Sequence, residues 1–150
     1  MITIRPAKER ETGILTDIAS ESEAYWGYNE EYMQNFRLIY KVTREFIRDN
    51  TVYVLEESDL IISFYGVTTE KDEASLEYFY ITPCSIGKGY GKVMWKHLIY
   101  TMGNMGINKI NLVTSPQAKD FYIKMGAQLT GEIDSLVIGN RKIPRLEYKL

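Results

Sequence analysis

Three glycines within five residues, Gly87, Gly89 and Gly91, sit in the run Ile86-Gly87-Lys88-Gly89-Tyr90-Gly91-Lys92. Glycine lets a backbone turn sharply and approach a ligand without Cβ interference. The run follows a strand-like segment, Ala74 to Ile81, and opens a helix-like one, Val93 to Met102. The free N–H groups and positive dipole end of a helix start favour an anion. Lys88 and Lys92 add mobile positive charge. The chemistry this spacing suits is the holding of a phosphate-bearing cofactor.

Two familiar phosphate loops do not fit. The Walker loop needs four residues between Gly and Gly-Lys, then Ser or Thr. Here only Lys88, Gly89 and Tyr90 separate Gly87 from Gly91-Lys92, and Val93 follows. The dinucleotide fingerprint needs two residues between its second and third Gly, on the first strand-to-helix turn. This run is Gly-x-Gly-x-Gly and comes after several strands. Covalent chemistry has thin support too. Cys84 could act as a nucleophile only with a base or a lowered pKa. The single histidine, His97, has no obvious third partner. One His and one Cys do not make a zinc site.

The run from Ile86 to Gly91 resembles motif A of the GNAT N-acetyltransferase superfamily, Gln/Arg-x-x-Gly-x-Gly/Ala. Tyr80-Ile81-Thr82-Pro83 before it is similar to the family's strand end facing the pantetheine arm of coenzyme A. Ile86 departs from the pattern, standing where the family usually has Arg or Gln. A second segment, Ser115 to Ala127, resembles motif B, Asn-x-x-Ala-x-x-Phe-Tyr-x-x-x-Gly-Phe/Ala. Ser115 takes the Asn position, Ala118 the Ala and Tyr122 the Tyr. The two matches come in the family's order and at its separation, and the likeness extends over most of the chain.

The resemblance implies acetyl-CoA as cofactor, with contacts from Tyr80, Ile81, Ile86, Gly87, Lys88, Gly89, Tyr90, Gly91, Lys92, Ser115 and Lys119. Capping explains Ser115 equally well, and a solvated charge explains Lys119. Acetyl transfer needs a deprotonated amine, and an alkylamine titrates near 10.4. Tyr122 is the expected acid for the departing thiolate, with a core aromatic as its other reading. Glu77 is the expected base. It is expected on one strand face with Phe79 and Ile81, where partial burial would raise its pKa; a solvated strand charge is the other reading. The resemblance places the oxyanion donors at the backbone N–H groups of Tyr80 and Ile81. Tyr25, Trp26 and Tyr28 among Glu21, Glu23, Glu30 and Glu31 suit a cationic acceptor, or form a charged helix with core aromatics. Arg141 to Arg145 lines the opposite side or caps a hairpin.

The expected function is transfer of acetyl from acetyl-CoA to a primary amine of a small molecule or peptide, by direct attack in a ternary complex. The alternative is a coenzyme A-binding regulatory or structural module without turnover, which Ile86 favours and Tyr122 and Glu77 oppose.

At 150 residues the chain is expected to be one domain, 1–150, with a sizeable core. Its 45% apolar and 25% charged residues are ordinary for a globular protein. No apolar run approaches the roughly 20 residues of a membrane span, and Met1 to Arg5 is no signal peptide. A single cysteine excludes an internal disulfide framework. A cytoplasmic location follows as expectation, with no membrane partner. Net charge of −2 argues against a nucleic-acid partner.

The elements that must position these residues show in the periodicity. Thr3 to Arg5 reads as an edge strand, and Glu9 to Trp26 as a helix with Ile14, Leu15, Ile18 and Ala19 on one face. A second helix is expected from Glu30 to Ile39 and a short turn at Val42 to Arg48. Strands at Thr51 to Glu56, Leu60 to Thr68 and Ala74 to Ile81 form an antiparallel meander. Met94, Trp95, Leu98, Ile99 and Met102 stripe the helix after the loop. Lys109 to Thr114 is a strand with Ile110, Leu112 and Val113 available for burial. Ser115, Pro116 and Gly126 bracket the next helix as N-cap, first residue and terminator. Ala127 to Ile138 and Pro144 to Lys149 are the last strands, joined through Gly139-Asn140. The class is α/β, and the resemblance implies the GNAT fold, a mixed, mostly antiparallel central sheet flanked by helices. An exposed final strand could pair two copies into a homodimer.

Overall fold

Seven strands pair into one sheet in the computed structural model, which describes residues 1–139 and 141–150. The chain runs β1 (Ile2–Pro6), α1 (Thr12–Ala24), α2 (Glu30–Ile39), α3 (Arg44–Asp49), β2 (Thr51–Glu57), β3 (Leu60–Glu70) and β4 (Glu73–Ile81). It continues through α4 (Tyr90–Asn104), β5 (Lys109–Val113), α5 (Lys119–Lys124), β6 (Gln128–Asp134) and β7 (Lys142–Lys149). The strand order is β1-β2-β3-β4-β5-β7-β6, antiparallel throughout except where β4 meets β5. The meander of β2, β3 and β4 is therefore present.

The sheet separates two apolar cores. On one face Met94, Trp95, Leu98 and Met102 of α4 pack with Tyr122 of α5 against Tyr65, Leu76, Ile110 and Leu112. On the other, Leu15, Ile18 and Ala19 of α1 and Tyr32 and Phe36 of α2 cover Val52, Val54, Phe64 and Tyr78. Two helix starts are fixed by side-chain caps: Asn29 accepts from Tyr32 N at 2.8 Å, and Thr43 accepts from Phe46 N at 3.0 Å.

Several boundaries and faces differ from the periodicity. α4 begins at Tyr90, because Gly89 holds a left-handed conformation that starts the helix at once. Ile14 is half exposed, since the buried face of α1 runs through Leu15, Ala19 and Glu23, about 100° away per residue. Val113 is also exposed rather than buried. Ser115 occupies the cap position of a short 3₁₀ turn, Pro116–Ala118, but its side chain caps nothing. β6 ends at Asp134 because the Ser135 hydroxyl accepts from Val137 N and Ile138 N, folding the chain into a turn. Asn140, half of the expected turn, lies outside the described residues. The final strand is not an edge: β7 pairs with both β5 and β6, leaving β1 and β6 at the rims.

The ladder between β4 and β5 is short. It runs from Glu73 opposite Lys109 to Leu76 opposite Leu112 and stops. β4 continues to Ile81, so Glu77 to Ile81 have no strand partner on that side. A register shift occurs at the same level. Gly66 faces Tyr78 and Val67 faces Leu76, which leaves Glu77 as the extra residue of a bulge. A cleft opens from this fork.

Candidate active site

A cleft of about 530 Å³ lies between the free end of β4 and the segment after β5. One wall is β4 itself, with Leu76, Glu77, Phe79, Tyr80 and Ile81. At one end stand Ile86, Gly87, Gly89, Gly91 and Lys92 of the glycine loop and the start of α4. Opposite β4 are Thr114, Ser115, Ala118, Phe121 and Tyr122. The other end is closed by Glu23 and Trp26 of α1 and its exit, Tyr32 and Phe36 of α2, Tyr40 and Arg141.

The glycine end is built for an anion. Gly87 and Gly89 both have φ of 85°, a conformation that L side chains resist. A Cβ added at either would meet nothing within 4 Å, so the loop faces open space. The first helical bond of α4 is Val93 N to Gly89 O at 3.2 Å. The N–H groups of Tyr90, Gly91 and Lys92 therefore lack intrahelical partners. The Tyr90 ring turns away from the cleft, and its hydroxyl bonds to Glu57. Only its backbone can serve a ligand here. Lys88 is exposed outside the cleft wall, and Lys119 lies in a neighbouring hollow with Pro116 and Lys142.

Backbone direction along β4 follows from one bond. Thr82 N donates to Ile62 O at 2.9 Å, toward β3. Alternation then sends Tyr80 N–H toward β3 and Ile81 N–H into the fork. Of the two amides expected as oxyanion donors, that of Ile81 is the available one.

Tyr122 is buried across from this amide's strand, among Phe79, Trp95 and Phe121. Burial pushes its hydroxyl pKa well up, opposed by a smaller effect from Thr114, so the phenol stays protonated. Its ring belongs to the core, as one of the two sequence readings has it, and the residue also lines the cleft. Glu77 lines the cleft but is exposed, not partly buried. The bulge removes it from the face of Phe79. Its carboxylate instead accepts from Ser75 Oγ at 2.8 Å.

The end closed by α1 and α2 contains a network that joins Glu23, Tyr28 and Arg141, named in the sequence analysis, to Tyr32 and Gln117. Glu23 is buried and accepts from the Tyr32 hydroxyl at 2.6 Å. Burial pushes the Glu23 carboxyl pKa up, with Tyr32 and Arg141 opposing. The Arg141 guanidinium lies 4.8 Å from the Tyr28 ring centre and 5.7 Å from that of Tyr32. It also donates to the Tyr28 hydroxyl at 2.5 Å, which in turn donates to Gln117 Oε1 at 3.0 Å. Trp26 lines the cleft; Tyr25 stands outside, edge-on to Trp26, and Tyr28 forms the support behind Arg141. Glu21, Glu30 and Glu31 are exposed and away from the wall. Phe36 and Tyr40 gave no chemical signal, although the i, i+4 spacing of Tyr32 and Phe36 marks a shared helix face.

Cys84 is exposed and His97 is turned to a different task, sharing a 2.8 Å hydrogen bond with the Tyr65 hydroxyl. Burial lowers the His97 pKa. The two do not form a nucleophile–base pair.

Comparison with known proteins bears on what this cleft does. A family model described as "Acetyltransferase (GNAT) domain" matches residues 18–133. No curated protein matches the chain. Among solved structures, the fold is similar to the PaiA N-acetyltransferase of Thermoplasma acidophilum in complex with coenzyme A, with TM-score 0.85 and 21% identity over 100% of this chain and 99% of that one. It is similar to the ribosomal-protein-S18-alanine N-acetyltransferase of Escherichia coli, with TM-score 0.75 and 15% identity over 99% and 94%. It is also similar to yncA of Salmonella typhimurium with its cofactor acetyl-CoA, with TM-score 0.71 and 16% identity over 99% and 94%. At these identities the likeness is one of fold.

Proposed function

The chain belongs to the GNAT acetyltransferase family, and from that premise we propose that it moves the acetyl group of acetyl-CoA to a primary amine of a small molecule or peptide by direct attack in a ternary complex. The observation that carries this reading is the fork. Five residues of β4 without a partner on the β5 side, an anion-suited glycine loop and Tyr122 border one cleft. Structural relatives with coenzyme A or acetyl-CoA bound support the cofactor.

The residues fit such a cofactor. Open space over Gly87 and Gly89 and the free amides of Tyr90, Gly91 and Lys92 suit its pyrophosphate. The unpaired edge of β4 suits an amide-bearing arm, which would add to the sheet as a strand does. When bound, acetyl-CoA supplies an acyl group activated as a thioester.

The protein's own part is positional and electrostatic. Ile81 N–H points where a carbonyl oxygen gaining negative charge can accept a hydrogen bond. Tyr122, kept neutral by burial, donates a hydrogen bond toward the sulfur as it gains charge. An ordinary thiol titrates near 8.5, below the raised phenol, so stabilising the thiolate matters more here than full proton transfer. Glu77 takes the proton of the amine, directly or through water, from its exposed position on the bulge.

Two measurements test the reading together. Acetyl-CoA and CoA should stabilise the protein by about 2.7 kcal/mol at a hundredfold excess over Kd, while NAD and ATP should not. Initial velocities with both substrates varied should give intersecting lines. Parallel lines would mean an acyl-enzyme, with Cys84 the residue to examine, and would overturn direct attack.

A further inference from the structure

We propose that the acceptor is an amine that also carries an anionic group, a carboxylate in the simplest case, and that Arg141 is the residue that holds this group. The inference rests on the acyl-transfer reading of the cleft and specifies its substrate class.

Two charged side chains stand at the acceptor end, Glu23 and Arg141. Arg141 is held in place before any ligand arrives. Its guanidinium lies against the faces of Tyr28 and Tyr32, and one Nη donates to the Tyr28 hydroxyl, itself tied to Gln117. Among the described residues Arg141 takes part in no ion pair. A guanidinium has five N–H donors in a planar fork that matches a carboxylate in two-point contact. Using one of them on Tyr28 leaves donors for a ligand in the cleft that Arg141 lines.

The same contacts count against a dication or polyamine beside Arg141. The aromatic faces of Tyr28 and Tyr32 already hold the protein's own cation and are not offered to a second one. Such a ligand would also face Arg141 at close quarters. Glu23 does not restore the balance: it is buried, bonded to Tyr32, and shifted by burial toward its neutral form. An anion at Arg141 leaves the amine free to reach toward Ile81 and Glu77 at the fork. The acceptor is therefore a molecule with amine and anion on one short skeleton, as in an amino acid.

The test uses three matched amines: an amino acid, its carboxamide and a diamine of equal length. Each is titrated against the CoA-bound protein by thermal stability and assayed with acetyl-CoA for thiol release. The amino acid should bind and react best. Arg141→Gln should weaken it about 10- to 100-fold, the range expected for a hydrogen-bonded ion pair, and should narrow its advantage over the carboxamide. Arg141→Lys, which keeps the charge and the fold but loses the planar fork, should fall between. Equal binding of the three amines, or an unchanged ratio in Arg141→Gln, would overturn the proposal. Selective binding of the amino acid without thiol release would support the anion site while contradicting acyl transfer. Thiol release with the diamine preferred would do the reverse.

Discussion

The Tyr122 hydroxyl is the side-chain group on which turnover most depends in this account. Tyr122→Phe keeps the ring packed among Phe79, Trp95 and Phe121 and removes only the hydrogen-bond donor. We expect turnover to fall by about 10²-fold or more with CoA affinity retained, measured as kcat beside a CoA titration; unchanged turnover would remove Tyr122 from the chemistry. Glu23 gives a prediction in stability. Burial raises its folded pKa above the ordinary carboxyl value of about 4.3, so the folded state holds the proton more tightly. That contribution is complete below the ordinary value and is lost as pH rises to the folded pKa. The stability of Glu23→Gln relative to the parent should therefore increase with pH above about 4.3 and then level off. Melting across pH checks this, and a difference that does not change with pH would contradict it. At this scale the sequence led to Tyr122 as a cleft residue, because its motif is local. It did not separate Glu23 from Glu21, Glu30 and Glu31, since that depends on which helix face meets the cleft.

The turn into α4 depends on backbone conformation. At Gly89 an added Cβ has open space but the backbone has φ of 85°, so Gly89→Ala pays through conformation alone. The cost should be about 1–2 kcal/mol, read from denaturant unfolding. CoA binding should weaken further as the amides after Gly89 reorient; a variant with parental affinity would show that the loop does not hold the cofactor. Local elements of this kind were legible in the sequence, as were the three-stranded meander and the stripe on α4. Features set by distant pairing were not. The bulge that turns Glu77 off the face of Phe79 appears only when β4 is laid against β3. The insertion of β7 between β5 and β6 likewise reverses the expectation of an exposed last strand, because hairpin neighbours in sequence do not fix which of them meets the rest of the sheet.

At the scale of the whole molecule, two cores on opposite faces of one sheet hold open a fork that the sheet itself does not close. α4 links the glycine loop to the first core, so Leu98→Ala, at a fully buried position, should cost about 2–5 kcal/mol by denaturant unfolding. It should leave the catalytic residues chemically intact, with activity retained at temperatures where the variant is folded. A cost below 1 kcal/mol would mean the core is less tightly packed than described. No helix of the described residues is long and apolar enough to cross a membrane. The proposed reaction requires that the cleft bring an activated acyl group and an amine together. The direct measurement is CoA thiol released from acetyl-CoA with and without an amine acceptor, with the N-acetyl product quantified in the same reaction. We predict thiol release that depends on the amine and equals the acetylated product mole for mole. CoA binding with no thiol release for any amine, or thiol release with no acetylated amine, would contradict the account.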